Sequence, residues 1–146
     1  MRPETWCSRR LALHYARVTV YRKLMNRTLW IIQILLALLF LFAGGAKFLT
    51  PADQMTQGMP AWISISFLHF IGACEVLGGI GLILPGLLHI KPGLTPLASA
   101  GLTIIVIGAT VVTVMGGMIA MALFPLVATI LAAFVAYGRW RLVPLT

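Results

Sequence analysis

Apolar residues run through this chain in blocks too long for a soluble helix, interrupted at a few polar or glycine-rich points. The first block, Leu29 to Ala46, carries no charge. With Lys47, Phe48 and Leu49 it approaches the ~20 residues that cross ~30 Å of hydrocarbon as a helix. Pro51 stops it. Between Asp53 and Lys91 the only charge is Glu75, which leaves room for a second span over about 65–88, with Trp62 at its interfacial end. No charged residue stands between Pro92 and Gly138, and one helix of that length would be about twice the bilayer thickness. The run must fold back, and Gly116 and Gly117 are the turn. The predicted spans are thus about 29–49, 65–88, 97–115 and 118–138. A signal peptide with cleavage near Ala43 to Ala46 fits less well, because its apolar core is usually only about 7–15 residues long.

Composition turns four helices into a membrane protein. Of 146 residues, 60% are apolar and 10% charged, against roughly a quarter charged in soluble domains. Mean hydropathy is +1.00. The expected fold is all-α, a polytopic four-transmembrane-helix bundle over residues 28–141 with a short tail, 142–146. The net charge of +8 does not point to nucleic acid, since the basic residues flank apolar runs instead of sharing a solvated face. Arg9, Arg10, Arg17, Arg22, Lys23 and Arg27 precede the first span; later flanks carry His89 and Lys91, then Arg139 and Arg141. That bias puts both termini in the cytoplasm, and the membrane expected is the inner membrane of a bacterial cell. Residues 1–27 form a basic leader, expected either as a disordered extension or as an amphipathic helix lying in the membrane plane through Leu11, Tyr15, Val18 and Leu24. A translation start at Met25 would remove it. Cys7 and Cys74 read as lone thiols, with no disulfide framework and no ligand spacing for a metal.

Candidate chemistry begins with Glu75, because a mid-membrane carboxylate must face a partner, a cavity or the bundle interior. Gly72, Gly78 and Gly79 stand at helical spacing around it, so this face of the second helix is an interface. The first helix offers a matching stripe of Gln33, Ala37, Phe40, Gly44 and Lys47, and Lys47, Glu75 and Gln33 are read as an intramembrane polar seam. Helical rise sets Lys47 ~3 Å and Glu75 ~12 Å below one boundary. Two arrangements fit: the side chains reach towards each other, or Lys47 snorkels to the headgroups while Glu75 carries a proton. His69 is read as a hydrogen-bonded interfacial histidine, with a quinone contact as the alternative; His14 and His89 lie at flanks. Gly101 and Gly108 are expected to form a small-residue packing seam on the third helix. Thr103, Thr110, Thr113 and Thr129 are expected to bond back to their own helices, and Pro125 interrupts the fourth. No catalytic residue, metal site or nucleotide motif is predicted.

The segments LLALLFLFAGGAKF, IGACEVLGGIGLIL, PLASAGLTIIVIGA and AAFVAYGRWR, in this order, resemble the DoxX-like family of small four-helix membrane proteins. The most specific parts are Gly-x-x-Lys from Gly44 to Lys47 and Gly-x-x-Glu-x-x-Gly-Gly from Gly72 to Gly79. By this resemblance Lys47 and Glu75 match the family's recurrent charged positions. The family takes its name from a subunit of a thiosulfate:quinone oxidoreductase. The resemblance therefore implies an accessory, non-catalytic subunit of a quinone-linked or redox-associated membrane complex, with no cofactor of its own and quinone reached through the complex. The partners implied are the lipid bilayer and a membrane redox partner or a second copy. This chain departs from several relatives in carrying Thr113 to Met118, with no charge or histidine, after the third helix. Competing readings are a small proton-coupled transporter using Glu75 and a purely structural or assembly protein.

Overall fold

The computed structural model describes residues 4–57, 59–60, 63–88, 90–91 and 93–144, with side chains described from Tyr15 onward. Trp62 and His89 lie outside the described residues, as do the side chains of Cys7 and His14. Helices α1 (Glu4–Leu49), α2 (Ala52–Met55), α3 (Ile65–Leu88), α4 (Leu94–Met115) and α5 (Ile119–Tyr137) follow one another, and α5 ends in a π-helical turn, Gly138–Leu142. No strand occurs among the described residues. Neighbouring helices pack α1 on α3, α3 on α4, α4 on α5 and α5 back on α1, which closes a four-helix bundle.

Four helices are long and apolar enough to cross a membrane, and only 17–33% of the most apolar window of each is buried within the bundle. The rest of that surface, including Leu35, Phe42, Ile104 and Ile130, faces outward. A water-soluble bundle buries its apolar stripe, so this outward distribution marks lipid as the surrounding solvent.

Helix α1 runs from Glu4 to Leu49 without interruption. Residues 4–27, expected as a disordered or in-plane leader, are instead one piece with the first span. The reason is local: no Gly or Pro occurs between Glu4 and Phe42, so nothing in the sequence bends or ends the helix.

The α4–α5 connection closes through glycine chemistry. Gly117 has φ +77°, a left-handed conformation that a side chain disfavours. Its amide donates to the Val114 carbonyl and the Met118 amide to the Thr113 carbonyl, the paired bonds of a Schellman cap. Helix α4 starts at Leu94, earlier than the predicted 97, because Pro96 lies in its first turn, where a missing amide hydrogen leaves no helical bond unmade.

Small residues set the spacing of α1 and α3. A Cβ built on Gly44 would lie 2.7 Å from the Gly72 carbonyl oxygen, one on Gly72 3.0 Å from the Gly44 oxygen, and one on Gly79 3.1 Å from the Ala37 oxygen. On α4, Gly101 and Gly108 are not packed within the bundle: nothing lies within 4 Å of a Cβ at either position. The buried face of α4 is Thr95, Pro96, Ser99, Leu102 and Val106, and at ~100° per residue the two glycines fall off that face. Contact with α3 is made by Leu102, which closes on Gly78; a Cβ there would be 2.6 Å from Leu102 Cδ2.

Candidate functional site

Two polar layers cross the bundle, one at each end of the α1–α3 contact. The first joins Lys47 in the last turn of α1 to Glu75, eleventh of the 24 residues of α3. Lys47 Nζ donates to Glu75 Oε2 at 2.6 Å. The glycines make this contact possible. A Cβ on Gly44 would come within 3.1 Å of Glu75 Cβ, and one on Gly72 within 3.2 Å of Lys47 Cβ. Each helix thus holds a glycine where the other sets the base of its charged side chain, and Gly-x-x-Lys interlocks with Gly-x-x-Glu. Lys47 points inward along α3 and does not snorkel outward.

The two charges are unequally sheltered: the Lys47 side chain is 26% exposed and that of Glu75 is 7%. A flat aromatic surface continues the site on the Lys47 side. The rings of Phe48 and His69 stack at 5.3 Å between centroids with 7° between their planes, and Phe48 Cε2 approaches the backbone of Gly72. His69 is half-buried, and its stacking partner Phe48 is the residue that follows Lys47. Among the described residues, no group of three or more His, Cys, Asp or Glu side chains is placed to hold a metal ion.

The second layer contains Gln33 and corrects the single seam. Fourteen residues separate Gln33 from Lys47 on α1, about 21 Å by helical rise, so the two share a stripe and not a site. Gln33 is fully buried. Its Nε2 donates to the Leu82 carbonyl at 2.7 Å, and its Oε1 accepts from Arg139 Nε at 2.7 Å. Arg139, 2% exposed, also donates Nη1 to Asn26 Oδ1 at 2.6 Å and to the Val143 carbonyl at 3.4 Å. Its Cζ lies 5.4 Å over the Trp30 ring, a cation–π contact, while Nη2 is enclosed without a protein partner. This one side chain ties α5 to α1, and through Gln33 to α3.

Arg139 read from sequence as a flanking charge. Two features bring it inside: the π-helical turn Gly138–Leu142, and Gly138 itself, where a Cβ would meet Leu29 Cδ2 at 2.7 Å. A signal was available in Gln33, since an amide inside an uncharged apolar run needs a polar partner. Nearby, Ser99 Oγ donates to the Ala132 carbonyl at 2.6 Å and links α4 to α5. Thr103, Thr110, Thr113 and Thr129 bond to carbonyls four residues back.

Four apolar helices with polar contacts turned inward define a multi-pass integral membrane protein. The model of the DoxX-like family matches residues 31–135, from just before Gln33 to the last turns of α5, and the chain belongs to that family. Comparison with curated proteins and with solved structures finds no match.

Proposed function

We propose that this DoxX-like protein is an accessory subunit of a quinone-linked membrane complex and that Lys47 and Glu75 are its functional polar element. The observation that supports this is the asymmetry of the pair, a partly exposed ammonium donor and a shielded carboxylate acceptor, with the Phe48–His69 stack starting at the residue after Lys47. A quinone headgroup calls for those three things, a donor to its carbonyl oxygen, an acceptor for the quinol hydroxyl and a flat apolar face. Electron transfer itself falls to the partner. In this reading the basic face of the bundle is cytoplasmic, in a bacterial inner membrane, and the pair occupies the opposite half.

The test is purification of the tagged protein from its native membrane, followed by assay of the isolated complex. A redox partner should co-purify, and Glu75→Gln should lower quinone-dependent turnover while the complex stays assembled. Unchanged turnover in that variant would remove the pair from the reaction. Uptake driven by a pH gradient in proteoliposomes, abolished by the same substitution, would replace the proposal with a proton-coupled transporter.

A further inference from the structure

On the outer faces of α4 and α5, remote from Lys47 and Glu75, lies a groove of about 580 Å³. Its apolar part is lined by Ala100, Ile104, Ala133 and Ala136, and where α5 ends it reaches Tyr137, Trp140 and Arg141. The π-helical turn sets this mouth: two residues apart, Arg139 turns into the bundle and Arg141 outward, with Trp140 66% and Tyr137 59% exposed.

Charge identifies the occupant. At this end of the bundle stand Arg22, Lys23, Arg27, Lys91, Arg139 and Arg141, and of the chain's three carboxylates only Glu4, some eighteen residues further out along α1 from Arg22, is on this side; Asp53 and Glu75 belong to the Lys47 end. Arg139 is held by neutral acceptors only, so its charge adds to the field at Arg141 two residues away. A ligand that fits must bring an apolar chain for the alanine-lined groove and a negative headgroup for an arginine. Phosphate suits a guanidinium, which presents a planar fork of donors, and Tyr and Trp occupy the headgroup depth between the two.

We propose that the α4–α5 groove is a site for an anionic phospholipid, with an acyl chain along Ala100, Ala133 and Ala136 and the phosphate on Arg141. The site is independent of the Lys47–Glu75 reading, and either can fail alone.

Native mass spectrometry of the purified full chain in detergent tests it, with phosphatidylglycerol, phosphatidylcholine of the same chains, and inorganic phosphate as probes. Phosphatidylglycerol should remain bound in preference to phosphatidylcholine, inorganic phosphate should not bind, and Arg141→Gln should weaken phosphatidylglycerol binding about tenfold, the loss of one charge-assisted contact. Ala133→Phe, an exposed position, should fill the groove and abolish retention with Arg141 intact. Equal retention of both lipids would overturn the proposal. So would an equal loss in Arg22→Gln, which would mean diffuse attraction to a basic surface, or a dimer that forms in place of lipid adducts and is lost in Ala133→Phe, which would give the groove to a second copy.

Discussion

The Lys47–Glu75 layer and the Gln33–Arg139 layer solve the same problem, polar groups inside an apolar bundle, in opposite ways. The first is a balanced ion pair between two helices, with one partner still partly exposed. The second buries a cation among neutral acceptors from α1 and the end of α5, with the Gln33 amide extending it to α3. An ion pair can be replaced by apolar groups with little loss, because desolvation of the charges consumes much of their attraction. A cation on neutral acceptors has no such margin, since removing an acceptor strands the charge. The comparison thus separates a layer whose charges the fold can do without, which is the layer the proposed function uses, from a layer that the fold retains.

The largest effect is expected where the cation is stranded. Gln33→Leu should cost about 3 kcal/mol or more in reversible unfolding in detergent, because Arg139 loses its Nε acceptor while staying buried. A cost below about 1 kcal/mol would show that Arg139 escapes outward and that the layer is not structural.

A double-mutant cycle at the other end should give a smaller and different result. Lys47→Met alone should cost about 2 kcal/mol, and Lys47→Met with Glu75→Leu should recover most of it, leaving a bundle as stable as the parent but without the proposed activity. Additive costs would mean that the two charges are not coupled.

The glycines run from an effect as large as that of Lys47→Met down to the smallest of all. Gly44→Ala should lose about 1–3 kcal/mol, since its Cβ meets a backbone oxygen that cannot step aside. Gly108→Ala should be neutral or gain up to about 1 kcal/mol, as its Cβ meets nothing and alanine favours the helix. The same readout, taken side by side, distinguishes a packed glycine from an open one.

How far each layer could be read in advance follows from the same contrast. Charges are so scarce in these spans that Lys47 and Glu75 selected each other, and the glycines three residues before them marked the helix faces that meet. Arg139 offered nothing comparable, because an arginine at the end of a span looks the same whether it faces headgroups or bundle. Its burial depends on a π-helical turn and on the fit of Gly138 against Leu29, a contact between residues more than a hundred positions apart. That Gly101 and Gly108 lie off the buried face of α4 was hidden for a related reason: a seven-residue spacing shows that two glycines share a face, but not which face. The leader's Leu11, Tyr15, Val18 and Leu24 offered a helix but not its direction, and the absence of breakers from Glu4 to Phe42 joins it to the first span as one continuous element.

That continuity gives α1 a mechanical character. The helix is a shaft of 46 residues, about 69 Å long, carrying the basic extension, Gln33 and Lys47 on one helical axis. A twist or tilt applied at the extension meets the Gln33 layer first, with no Gly or Pro in between, and the Lys47 layer only beyond Gly44 and Gly45. The two layers share no polar atom, yet a single helix carries both, with Gly44 and Gly45 the one break in its stiffness between them.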